Sequence, residues 1–322
     1  MKQAPWVNYR PEIKILDCTV RDGGLINNHL FEDGLVKAVY QANVAAGVDY
    51  MEIGYKGDKK IFAPGKFGLW KSCDEDDIRR IVGDNDTPMK ISVMADAEKT
   101  DYHNDILPKD KSVIDLIRVA TYIHQVPTAV DMIKDAKDKG YEVTINLMAI
   151  SVVHDDELQE ALEIFAQTDV DVIVLVDSFG TLYSEQISDY TKRYLAAVKG
   201  TGKEVGFHGH NNLQLGFANT IEAIIAGANR LDATINGIGR GAGNCPMELL
   251  VHFLKNPKFN IRPLLKCIEE HFLPLQGKIE WGYMIPYLIT AHFNQHPRAA
   301  MELRAGKDKD KYVDFYDRCN DA

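Results

Sequence analysis

The chain has 322 residues, 45% of them hydrophobic and 26% charged, which excludes a disordered polypeptide and leaves room for one large domain with an appendage or two ordinary domains. The formal net charge of −10 repels a phosphate backbone and argues against nucleic acid as a partner. The five cysteines, Cys18, Cys73, Cys245, Cys267 and Cys319, are odd in number, scattered and without a CxxC pair, so they read as free thiols in a reducing, cytoplasmic setting.

In chain order, the opening Met-Lys-Gln-Ala-Pro-Trp has no apolar run behind it and does not read as a signal peptide. No apolar run further on approaches the length of a bilayer span. Short β-branched runs at 13–17, 50–53, 89–94, 116–120, 142–147, 172–176, 204–208 and 230–234 alternate with amphipathic stretches, among them 33–46, 128–139, 155–167, 184–199 and 214–226. Runs such as Val172-Ile173-Val174-Leu175-Val176 are apolar throughout, as parallel strands covered on both faces must be. The spacing predicts an α/β chain, a (β/α)8 barrel over 1–255, with a doubly wound sheet as the rival. The third unit is weak, because 101–107 is short and ends at Pro108. The long loop 54–72 is placed to fold over an active site. After Leu254 the alternation stops, and 256–322 reads as a helical C-terminal extension that covers the barrel or docks on a partner.

Three motifs carry chemistry. Arg21-Asp22-Gly23-Gly24 follows the first strand, where barrel enzymes place catalytic groups. Asp22 offers a hard oxygen ligand for Mn²⁺ or Mg²⁺, and Arg21 a fork of donors for an enolate oxygen or a carboxylate. An Arg–Asp ion pair before a Gly-Gly turn reads equally well. His208-Gly209-His210 ends the seventh strand; side chains two apart on extended backbone share a side, so both imidazoles can join Asp22 on one metal. Asn236-Gly237-Ile238-Gly239-Arg240-Gly241-Ala242-Gly243-Asn244 follows the eighth strand, where Asn244 can add a carbonyl oxygen; a phosphate cradle or a plain tight turn are the other readings. Glu52, ending the second strand, is placed to orient Arg21 or shuttle a proton. Asp177-Ser178 is placed to support the histidines from behind, and Asn146 points towards the barrel mouth or into the barrel, with packing the preferred role. Cys18 and Cys245 are read as small buried packers. His103, His124, His154, His252, His271, His292 and His296 fit no ligand spacing and are read as surface or core residues.

Together, over about 13–254, these motifs resemble the DRE-TIM metallolyase superfamily (HMG-CoA lyase-like), and within it the 4-hydroxy-2-oxovalerate aldolase branch. The resemblance implies a divalent-metal-dependent aldolase or lyase that makes or breaks a carbon–carbon bond through a pyruvate-type enolate. It implies Asp22, His208, His210 and Asn244 as metal ligands, and Arg21 as the enolate stabiliser. It matches Tyr283 to a C-terminal tyrosine of the aldolase branch. That branch has a histidine base where this chain has Leu25, so His29, another proton carrier or a different substrate must stand in. The implied partners are a small 2-oxo acid or aldehyde, plus a homodimer mate or partner enzyme docked through the extension. A Claisen-type acyltransferase using acetyl-CoA and a barrel that has lost catalysis are the alternatives.

Overall fold

The computed structural model describes residues 10–321. The opening hexapeptide and the first nine residues of the expected 1–255 unit lie outside them. Eight parallel strands close into a barrel in sequence order, with β1 (Lys14–Asp17) pairing β8 (Arg230–Ala233). Between them run β2 (Tyr50–Tyr55), β3 (Lys90–Asp96), β4 (Leu116–Thr121), β5 (Glu142–Leu147), β6 (Val172–Asp177) and β7 (Glu204–Gly209). The barrel is thus the architecture expected, and closure rules out the open doubly wound sheet. Every residue of β2, β4 and β6 is buried, which explains their near-continuous apolar sequence.

A short turn of helix, α1 (Thr19–Gly23), follows β1, so Arg21 and Asp22 stand on helical backbone just above the strand end. The outer ring is α2 (Asp33–Ala46), α3 (Glu75–Val82), α4 (Tyr102–Asp105), α5 (Val126–Asp138), α6 (Asp155–Gln167), α7 (Ser184–Ala197) and α8 (Gly216–Ala226). The weak third unit is real: α4 has four residues and none of them is buried. Pro108 has no backbone N–H to continue it.

The barrel interior is not wholly apolar. Leu16, Cys18, Tyr50 and Leu116 form one internal cluster, and Val172, Val174 and Val176 another. Between such layers lie three buried charges, Glu52, Arg118 and Asp232. Arg118 donates to Glu52 Oε2 at 3.0 Å and to Asp232 Oδ2 at 2.5 Å, so one guanidinium ties β2 to β8 across the interior from β4.

Past β8 come α9 (Met247–Leu254), α10 (Ile261–Cys267), α11 (Leu273–Gln276), α12 (Ile285–His292), α13 (Arg298–Ala305) and α14 (Tyr312–Asn320). Leu264, Cys267 and Phe272 belong to the main barrel core. Tyr287, Ile289, Ala300, Leu303, Phe315 and Cys319 form a second core, closed onto Ala242 of the glycine-rich loop. Thr181 donates to Ala291 O at 2.6 Å and Asn294 to Ser151 O at 2.8 Å, so α12 and the turn after it sit over the loops that follow β5 and β6. Of the two placements weighed for the extension, the described residues therefore cover the barrel.

Candidate metal centre

The site begins with two strand ends and one loop. β7 delivers His208, and the extended backbone just beyond it delivers His210, whose backbone bridges to Asn244. Helix α1 swings Asp22 between them: Asp22 Oδ2 lies 3.6 Å from His208 Nε2 and 3.9 Å from His210 Nε2. All three residues are buried, and their ligand atoms fit a metal-sized cluster. Asn244 gives its amide nitrogen to Ile238 O at 3.1 Å, and its Oδ1 is buried without a partner. His208 Nε2 is likewise buried without a hydrogen-bond partner. Buried acceptors left unpaired are costly unless something else fills them. Their chemistry, imidazole with carboxylate and amide oxygen, fits a divalent cation.

The position of Asp22 depends on the glycine-rich loop. The Arg240 backbone N–H donates to Asp22 Oδ1 at 3.0 Å. At Gly239 an added Cβ would lie 2.1 Å from Asn244 Nδ2 and 2.6 Å from Asp22 Oδ1, so only glycine lets the loop approach this closely.

Three further charges hold the cluster in place. Arg21 donates through Nε to Glu52 Oε2 at 2.7 Å and through Nη1 to Asp22 Oδ2 at 2.5 Å, leaving Nη2 outside both bonds. Glu52 therefore orients Arg21 while also accepting from Arg118. His208 Nδ1 contacts Asp232 Oδ2 at 2.9 Å, which places the proton on Nδ1 and turns Nε2 towards Asp22. Burial pushes the Asp22 carboxyl up, but Arg21 first and then the two histidines outweigh it and hold it well below the usual carboxylate range. Burial drives His210 well below its ordinary value, whereas at His208 burial is outweighed by Asp22 and Asp232, which raise it, so a cation at its Nε2 would displace a proton. Cys18, with His208 and Asp232, forms a second metal-sized group. Burial holds its thiol protonated, and it donates to Ala233 O at 3.5 Å, which favours the packing role.

These groups open on a cavity of about 50 Å³. Arg21, Asp22, His208, His210, Asn146, Ser178 and Arg240 make its polar side, and Leu25, Tyr55, Met94, Ala120, Met148 and Val176 its apolar side. Asn146 thus lines the mouth, the first of the two orientations weighed for it rather than the preferred packing role, and its Oδ1 accepts from Thr144 at 2.9 Å. The support expected from Asp177 comes from Asp232 instead. Asp177 spends its oxygens on the Thr181 and Leu182 backbone N–H groups, which shape the loop after β6.

His29 is 2% exposed, in left-handed backbone at φ 60°, packed edge-on against Tyr55. Gly24 leaves it room, since a Cβ there would stand 2.0 Å from His29 Nδ1. Both of its ring nitrogens are buried without partners, and it is outside the residues that line the cavity. Tyr283, before α12, is 53% exposed and also outside that lining. The loop 54–72 does close against the first barrel loop, with Gly68 N–H on Asn28 O at 2.9 Å and the Trp70 indole on Phe31 O at 3.0 Å.

Sequence reasoning missed Asp232, Arg118, Tyr55 and Arg240 as parts of this constellation. A signal for Arg118 was present: it is the single charge in the strand Leu116–Thr121, which makes sense only if it faces a polar partner inside the barrel.

A closed barrel whose mouth joins one carboxylate and two imidazoles beside a buried arginine can hold a divalent cation next to a carbonyl substrate. The chain belongs to the HMGL-like family, whose model matches residues 12–269, and so to the carbon–carbon lyases. It is 35% identical over 246 residues, 75% of the chain and 69% of the relative, to an oxaloacetate decarboxylase of Mycobacterium tuberculosis. It is 31% identical over 243 residues, 76% of the chain and 69% of the relative, to a 4-hydroxy-2-oxovalerate aldolase of Geobacillus thermodenitrificans. The N-terminal domain of a candidate aldolase from Bacteroides vulgatus superposes with a TM-score of 0.75 at 29% identity, covering 94% of this chain and all of that one. The HMG-CoA lyase of Bacillus subtilis, at 15% identity and a TM-score of 0.68 over 84% of this chain and 94% of its own, shares the fold.

Proposed function

We propose that the protein cleaves a 2-oxo acid beyond C3 to leave a pyruvate-type enolate, using Mn²⁺ or Mg²⁺ held by Asp22, His208, His210 and Asn244. The observation that carries this reading is the buried cluster of Asp22, His208 and His210 beside Arg21, with His208 Nε2 and the neighbouring Asn244 Oδ1 both buried and unpartnered. A cation there supplies a Lewis acid for the 2-oxo group. Arg21 offers Nη2 to the oxygen on which charge develops, and Glu52 keeps its fork from rotating. Asn146 and Ser178 provide neutral polar contacts across the mouth. Tyr283 has no part in this proposal.

The leaving group divides the reading in two. In an aldol cleavage the 4-hydroxyl proton goes to a base as the C3–C4 bond breaks, and His29 would have to reach it past Tyr55. In a decarboxylation the C3–C4 electron pair moves into the enolate and CO₂ departs, with no base needed. The wall of Leu25, Tyr55, Met94, Ala120 and Met148 favours the second, because it offers the substrate no imidazole or carboxylate to take a proton. The test is release of pyruvate, read through lactate dehydrogenase, from oxaloacetate and from 4-hydroxy-2-oxovalerate with Mn²⁺ present. Turnover of either supports the lyase reading, and oxaloacetate alone selects decarboxylation. Release of free CoA from acetyl-CoA with a 2-oxo acid, and no pyruvate, would replace the reading with acyl transfer.

The extension exposes Val313 at 73% and Tyr316 at 42%, which supports a homodimer or partner enzyme contacting it there. No described helix is long and apolar enough to cross a membrane. Light scattering on the purified chain tests the homodimer.

A further inference from the structure

Among the described residues the Arg240 guanidinium is a cation at the cavity that no carboxylate pairs with. It stands in the glycine-rich loop after β8 and lines the mouth. Its Nη2 donates to Ser178 O at 3.2 Å, and its Nη1 faces His296 Nε2, also at 3.2 Å. Both contacts are long and both partners are neutral. Its Nε is buried and bonded to nothing. Among the described residues no carboxylate forms an ion pair with this guanidinium, although Arg21 in the same cavity has two.

His296 cannot fully satisfy it. The Arg298 backbone N–H points at His296 Nδ1 at 3.1 Å, and Arg240 points at Nε2, but a neutral imidazole accepts at only one nitrogen. Burial first, and then Arg240, push His296 down to about 3, so the ring stays neutral and never neutralises or repels its neighbour as a charge. Phe179 packs edge-on against the ring and fixes it. The C-terminal extension, which carries His296, therefore holds the arginine in place over the cavity without quenching it.

The surroundings add to the same field. Lys99 and Arg298 both act on His296, and Lys99 also acts on Lys71, where Asp96 and Cys73 oppose it. Lys71 is itself buried against the Tyr55 ring at 3.7 Å.

We propose that Arg240 is a specificity residue that binds a second carboxylate, so that the substrate is a 2-oxo dicarboxylate rather than a 2-oxo monocarboxylate. This rests on the lyase reading, in which the 2-oxo end lies at Asp22, His208 and His210. Arg240 pairs with the far carboxylate through its unused N–H groups, and His296 acts as its positioning residue.

The test is calorimetric titration of the Mn²⁺-loaded protein with 2-oxoglutarate and with 2-oxopentanoate, which differ only in a terminal carboxylate or methyl. The wild type should prefer the dicarboxylate by about 10- to 100-fold, the worth of a charged hydrogen bond. Arg240→Gln should bring the ratio of the two dissociation constants close to one. His296→Gln should keep most of the preference. His296→Glu should abolish it by placing an acid on the guanidinium. Unchanged melting temperatures separate these effects from misfolding. A wild type without preference, or an Arg240→Gln variant that keeps it, overturns the specificity role and leaves the lyase reading standing. Failure of both ligands to bind overturns the specificity role, and pyruvate release from oxaloacetate decides the lyase reading separately.

Discussion

At the scale of single residues, the chemistry turns on which partner each buried polar group has. Asp232 is the clearest case. It lies in the last strand and never touches the cavity's open side, yet it sets which nitrogen of His208 carries the proton. Asp232→Asn removes the charge that holds the proton on Nδ1. Affinity for Mn²⁺ should fall about 10- to 100-fold, as outer-shell partners of ligating histidines typically cost. Isothermal titration with Mn²⁺ measures this, and an unchanged affinity would sink the assignment. His29 gives the complementary prediction. Burial, with Lys71 and Arg21 adding to it, holds this imidazole well below its ordinary value of 6.5. A base must be deprotonated to act, so any aldol rate it supports falls only as pH drops through that depressed value. The acidic limb should lie well below pH 6.5 and vanish in His29→Ala. Should the variant keep both rate and profile, His29 is a packed residue and no more.

At the scale of elements, the site depends on three segments being brought to one height. β7 ends in extended backbone, which is why two histidines two residues apart can face one point. Helix α1 gives Asp22 a direction that a straight strand would not. The glycine-rich loop then passes so close that its backbone caps Asp22. Gly239→Ala should therefore push the loop away from Asn244 and Asp22. The barrel should remain folded, because no strand or core residue changes, while Mn²⁺ binding is lost. Circular dichroism together with metal analysis checks both halves. Retained metal would show that the loop has slack that the close contacts deny. The repeating strands and helices were legible from periodicity because they obey local rules. The turn of helix after β1 was not, because Thr19–Gly23 is too short to show a helical pattern and is held by what packs above it.

At the scale of the molecule, two carboxylates pull stability in opposite directions with pH. Asp17, fully buried with only Thr19 and Asn43 to help it, is pushed up to about 7 by loss of solvation. In the unfolded chain it titrates near about 4. Between these values the folded state keeps a proton that the unfolded state has released. Its contribution is therefore complete below about pH 4 and is lost as pH rises through 7. Asp22 behaves the other way: its depressed value makes its contribution present above about pH 4 and lost on further acidification. Without metal, Asp17→Asn should flatten the fall in unfolding free energy between about pH 4 and 7 and leave the acid side unchanged. Urea titrations across that range are the measurement. A slope equal to that of the wild type would mean another group carries it. The buried Arg118 belongs at this scale as well. Removing it strands Glu52 and Asp232 inside the barrel, and about 3–5 kcal/mol of stability should go with it in Arg118→Ala.

The amino-acid sequence alone determined the eight alternating units, the place of Asp22 after the first strand, and the pairing of His208 with His210. Each of these follows from short-range periodicity, strand-end position or two-residue spacing. Only the tertiary structure decided which groups stand behind them. Arg118 reaches Asp232 across 114 positions, and Arg240 reaches His296 across 56. Such pairings come from barrel closure and from the way the extension folds back, and neither leaves a local pattern. The sequence marks Leu25 as a missing base. Its neighbours Tyr55, Met94, Ala120 and Met148 meet it only because four successive strands end around one cavity, and that arrangement turns a missing histidine into an apolar wall.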